Sequence, residues 1–107
     1  MGTFTLTNGL SLASGAVLDC QVKDDGTCDL IKVLGGTVTL AGPVTLNIPV
    51  IGGSQSATYT LMDWSAAADN GFTATNFTVT CAYPSRVYLS GKTLQLRVLS
   101  GSYVIMK

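Results

Sequence analysis

With 107 residues, 47% apolar and only 11% charged, the chain is expected to form one all-β domain over residues 1–107, covered by Thr, Ser, Asn and Gly rather than by charge. Its basic residues, Lys23, Lys32, Lys92, Lys107, Arg86 and Arg97, are scattered singly against six aspartates for a net charge of zero. That excludes the clustered basic footprint nucleic acid requires, and no apolar run approaches the ~20 residues that cross a bilayer.

The amino terminus, MGTFTLTNGL, lacks a basic segment followed by an apolar run, so a signal peptide is expected to be absent or already removed. Thr3 to Thr7 alternates, with Phe4 and Leu6 on one face, and ends at Asn8-Gly9, a pair that tolerates positive φ. Leu10 to Ala13 continues the alternation. After Ser14-Gly15, Ala16 to Val22 points Leu18, Cys20 and Val22 inward before Lys23-Asp24-Asp25-Gly26 turns the chain. The stretch from Asp29 to Val50 packs Val38-Thr39-Leu40 and Val44 to Val50 between Gly35-Gly36 and Ala41-Gly42-Pro43. Even positions there are aliphatic, the period of a strand with one buried face.

Ile51 to Ser56 is an excursion, followed by Ala57 to Asp63 with Tyr59 and Leu61 inward, and by Trp64 as a cap over the end of the core. Ser65 to Asn70 has the composition of a single helical turn. The run from Phe72 to Cys81 carries Phe77, Val79 and Cys81 on one face, and Tyr83-Pro84-Ser85 turns the chain. Two strands joined at Ser90-Gly91 then bury Val87 and Leu89, and Leu94, Leu96 and Val98. The last run, Tyr103-Val104-Ile105-Met106, is apolar at every position, as a strand covered on both faces requires.

One internal regularity stands out. Leu10, Leu12, Leu18, Cys20 and Val22 recur 28 positions later as Val38, Leu40, Leu46, Ile48 and Val50. An offset that preserves buried positions and the turn between them predicts stacked coils, a short parallel β-solenoid. The same strands also suit an antiparallel β-sandwich or jelly roll.

Three cysteines allow at most one internal bridge. Cys20 and Cys81 share the parity of the buried residues, which suits free thiols acting as small hydrophobes. A bridge between Cys20 and Cys28, closing the Asp-rich turn, is the other candidate, and one involving Cys81 is the third.

The serial order LSLASGAVLDCQV, DLIKVLGGTVTLAGPVTLNI, ATYTLMDWS, NFTVT and KTLQLRV resembles the terminal repeat segment of the autotransporter-associated β-strand repeat family of bacterial surface and secreted proteins. The resemblance implies a β-solenoid serving as an extracellular scaffold on the bacterial cell surface, with no catalytic residues to transfer.

The chain has neither His nor Glu, so Ser-His and Cys-His nucleophile systems are excluded, and no enzyme activity or cofactor is expected. Asp24, Asp25 and Asp29 suggest a Ca²⁺ loop but fit no known spacing, and turn residues explain them. Asp19, Asp63 and Asp69 complete the acids without forming the pair a glycosidase needs. Trp64, Tyr83 and Tyr88 could stack on sugar rings if the domain bound a glycan. Asn76-Phe77-Thr78 satisfies the glycosylation pattern, a triplet common by chance. The function expected is structural: a self-assembling module that forms a homo-oligomer or filament, with Phe4 and Leu6 at one end meeting Tyr103, Val104, Ile105 and Met106 at the other. A carbohydrate-binding β-sandwich on a bacterial surface is the alternative.

Overall fold

In the computed structural model, which describes residues 2–23, 27–51, 57–81 and 85–98, the chain is all-β. Four short strands come first: β1 (Thr3–Leu6), β2 (Leu10–Leu12), β3 (Val17–Asp19) and β4 (Val22–Lys23). Four more follow: β5 (Leu30–Val33), β6 (Thr37–Leu40), β7 (Val44–Ile48) and β8 (Val50–Ile51). Then come β9 (Ala57–Asp63), β10 (Ala68–Asp69), a 3-10 turn at Ala74–Asn76, β11 (Phe77–Cys81), β12 (Ser85–Ser90) and β13 (Thr93–Val98).

Consecutive strands do not pair in the first two groups. The chain instead visits four sheets in turn, and then visits the same sheets again in the same order: β5 lies parallel to β1, β6 to β2, β7 to β3 and β8 to β4. On a third circuit β9 joins β5, β10 joins β6 and β11 joins β7, all parallel. The sequence offset is the structural register, since Leu10 faces Val38, Leu18 faces Leu46 and Val22 faces Val50. All strand pairing among β1 to β11 is parallel. The exception is the hairpin β12–β13, whose second strand lies antiparallel on β9 and makes the largest sheet mixed, in the order β1-β5-β9-β13-β12.

The aliphatic positions of successive circuits lie over one another in a continuous core that includes Leu46, Val38, Val44, Leu94 and Leu96. Alternation assigns these residues correctly. It misses Met62, because the register between β13 and β9 shifts at Leu94/Gln95, so that Leu94 faces Met62 while Gln95 faces Thr60. A bulge of this kind reverses the parity of a strand. Tyr59 and Leu61 point inward before it, and Met62 and Trp64 after it.

Trp64 is therefore a core residue, 1% exposed, rather than a lid over the core's end. Its ring lies 5.1 Å from that of Phe72, tilted by 45°, and Phe72 meets Phe77 edge-on at 5.9 Å. Ser65 to Asn70 does not form a helical turn either. The Ala67 amide donates to the Trp64 carbonyl at 2.8 Å, and the chain then enters β10 beside β6. Ladder pairing outweighs the helix preference of three alanines, each worth only tenths of a kcal/mol.

Candidate assembly edge

Each strand of the first circuit lies at the edge of its sheet; β1, β2 and β3 have a partner strand on one side only among the described residues, whereas β4 also bridges back to Cys28 through Val22. Such an edge presents a row of backbone N–H and C=O groups that want another strand. Side chains repeat the pattern. Phe4 faces Ile31, Ile31 faces Met62, Met62 faces Leu94 and Leu94 faces Leu89 across the largest sheet. Met62 and Leu94 are 1% and 0% exposed, whereas Phe4 at the first-circuit edge is 64% exposed, and Ile31 and Leu89 are half-buried. The ladder is buried at its middle and uncovered at β1, so Phe4 has the position of a core residue without a cover. Leu6, the other residue expected there, is half-buried beside Val33. Tyr103, Val104, Ile105 and Met106 lie outside the described residues.

Polar side chains hold this edge in shape. The Gly2 amide donates to Asp29 Oδ1 and the Gln21 amide to Asp29 Oδ2, both at 3.1 Å, so one carboxylate ties the start of β1 to the link between β3 and β4. Both Asp29 oxygens are thereby engaged, and Asp24 and Asp25 of the candidate Ca²⁺ loop lie outside the described residues. Among those residues no cluster of metal-ligating side chains occurs. Asn47 Nδ2 donates to Asp19 Oδ1 at 2.9 Å across one circuit step, and Tyr59 donates its hydroxyl to the Lys23 carbonyl at 2.7 Å.

Cys20, Cys28 and Cys81 are free thiols, so the candidate bridge between Cys20 and Cys28 is not formed in this structure. Burial, with the negative charges of Asp29, Cys28 and Asp19 adding to it, pushes the Cys20 thiol up to about 11. Cys28 is raised too, by burial and then by Asp29, with a backbone hydrogen bond at Thr60 acting the other way; its thiol also donates to the Thr60 carbonyl at 3.3 Å. Disulfide exchange proceeds through the thiolate, so protonated, buried thiols are slow to enter it.

At the third circuit two aspartates are held below the usual carboxylate range. Asp69 accepts the Trp64 indole N–H at 2.8 Å and the Gly71 amide at 3.0 Å, the indole being the larger cause. Asp63 is lowered by the backbone amide and the hydroxyl of Ser65. Asp69→Ala leaves a buried indole N–H without its acceptor, at a cost of about 1–3 kcal/mol, which thermal denaturation at pH 7 reads directly. A lowered carboxylate stabilises the fold above its unfolded pKa and is lost as pH falls through its folded pKa. In wild type the Asp69 share is therefore expected to start falling below about pH 4 and to be gone once the pH is below the lowered folded pKa, so the gap between wild type and Asp69→Ala narrows there.

Of the aromatic residues considered for sugar stacking, Trp64 is buried, Tyr83 lies outside the described residues, and Tyr88 on β12 is 36% exposed. The described residues enclose no cavity. Asn76 sits in the 3-10 turn, where its Oδ1 accepts the Thr73 amide at 2.8 Å. Sequence reasoning did not reach the roles of Asp29, Asp69 and Asn70, since a carboxylate or amide that bonds distant backbone leaves no periodic trace. Comparison with family models, with curated proteins and with solved structures finds no match to this chain.

Proposed function

We propose that the chain is a short β-solenoid that serves as a structural module outside the cell, on a bacterial surface, and mates end to end with further copies of itself. One observation carries this reading: parallel circuits in register end at β1 with the apolar ladder uncovered at Phe4. Stacked repeats bury their apolar faces only against neighbours, so an end without a polar cap invites another unit. The motif order, which resembles that of the autotransporter-associated repeats, supports the same reading, and zero net charge removes long-range repulsion between copies.

Purified protein is expected to form oligomers or filaments, seen by negative-stain microscopy and by light scattering that rises with concentration. Removal of residues 102–107 is expected to reduce assembly. A protein that stays monomeric at high concentration, and keeps wild-type stability after that truncation, overturns the proposal.

A further inference from the structure

Zero net charge conceals a polarity. Residues 1–29 hold four aspartates (Asp19, Asp24, Asp25 and Asp29) against Lys23, whereas residues 64–107 hold Arg86, Lys92, Arg97 and Lys107 against Asp69. Among the described residues, Asp19 and Asp29 lie in or beside the first circuit with Lys23, while Arg86, Lys92 and Arg97 lie in the hairpin at the opposite edge of the largest sheet; Asp24, Asp25 and Lys107 lie outside the described residues. Within that hairpin Arg86 faces Arg97 directly, and both are exposed. Like charges opposite each other on a sheet repel, so an acid supplied from outside would relieve the pair.

Strand direction agrees with the charges. β13 runs against β9, and β12 runs against β13; two reversals restore the original sense, so β12 runs parallel to β9, β5 and β1. The two outer strands of the sheet thus run the same way, each without a further paired strand among the described residues, β12 lying also close to β11 and the 3-10 turn, and a second copy can add without being rotated.

The geometry points to a polar, head-to-tail junction in which β1 of one copy adds in parallel to β12 of another, with the acidic first circuit against the basic hairpin. This inference rests on the end-to-end reading above and specifies its partner surfaces. Continuing the ladder places Phe4 of the incoming copy beside the half-buried Leu89, Thr3 beside Tyr88 and Thr5 beside Ser90. Arg86, three residues before Leu89, then lies near the start of the incoming β1, where Asp29 holds the Gly2 amide. Main-chain bonds supply affinity in such strand addition and the side-chain ladder supplies register. Because the two surfaces differ and are related by translation, the assembly does not close into a two-fold dimer.

Two end-blocked variants test the junction by sedimentation velocity. Phe4→Lys removes the ladder's end and makes β1 basic; Arg86→Asp combined with Tyr88→Asp makes β12 acidic on its exposed side. Each is expected to be monomeric alone, because one surface of the proposed junction is blocked. Their equimolar mixture is expected to reach at least twice the monomer mass, since the first still offers an intact β12 and the second an intact β1. Dissociation of that complex is expected to rise about 10-fold between low salt and 0.5 M salt as the charges are screened.

Homodimers of the Arg86→Asp/Tyr88→Asp protein would mean that two β1 edges pair, and would overturn the inference. A mixture that stays monomeric while wild type assembles overturns it as well, leaving end-to-end assembly intact by another surface. A monomeric wild type removes both readings together. Circular dichroism checks each variant's fold, and Thr5→Lys, at an exposed position of β1, replaces Phe4→Lys should the latter fail to fold.

Discussion

Replacing Leu46 with alanine is expected to destabilise the protein by about 3–5 kcal/mol, measured as a fall in the urea midpoint with little change in slope. Leu46 is 0% exposed and lies at the middle of a three-strand ladder, between Leu18 on β3 and Val79 on β11. Strands above and below limit how far the site can collapse into the void, which puts the cost at the upper end of the usual range. A domain of this size has a total stability of about 5–15 kcal/mol, so the loss is a large fraction of what holds it folded. Val17→Thr, at an exposed position of β3 one register step away, is expected to change stability by about 0.5 kcal/mol or less. Equal losses for the two changes would mean that the interior is not packed as described.

Gly36→Ala is expected to be at least as damaging, by a different route. Gly36 has φ +74, and a Cβ there would lie 2.6 Å from the Asn8 carbonyl carbon and the Gly9 nitrogen; Gly9, at φ +90, would put its own Cβ 2.6 Å from the Thr37 carbonyl oxygen. The corners of two successive circuits rest on each other backbone to backbone, with no room for a methyl group. Left-handed backbone alone costs about 1–2 kcal/mol for an ordinary residue, and displacing main chain rather than a flexible side chain adds to it. A loss of about 3 kcal/mol or more is expected. Gly91→Ala is the control: Gly91 also has positive φ (+59) but faces open space, so it reports the strain alone. If the two alanines cost the same, the corners are not in contact.

The buried positions of most strands were legible because their period is set by which face meets the core. The offset of 28 was legible because the parallel pairs repeat that face in register. What alternation cannot carry is strand direction, since parallel and antiparallel neighbours ask for the same pattern. The strands around Ser90-Gly91 were therefore foreseen, but their antiparallel seat on β9 was not. A bulge is equally silent, because one extra residue between Tyr59 and Trp64 looks like ordinary sequence until its partner strand is known. The candidate edge was legible as apolar residues near the start of the chain. That Phe4 continues the line of Met62 and Leu94 required knowing which strands are neighbours.

Asn70 bears on how the third circuit can grow. Its Nδ2 donates to the Leu40 carbonyl at 3.0 Å, its Oδ1 accepts from the Leu40 amide at 3.5 Å, and its own amide donates to the Val38 carbonyl at 3.2 Å. One side chain thus substitutes for the next stretch of strand and seals the rim of β6 at the point where the main chain departs. Between that seal and β11, where pairing with β7 resumes, the backbone makes no hydrogen bond to the layer beneath it among the described residues. Extra residues accommodated after Gly71 would cost little beyond loop entropy, about 0.6 kcal/mol per doubling of length. That corner is where the module can acquire decoration without weakening the stack that carries it.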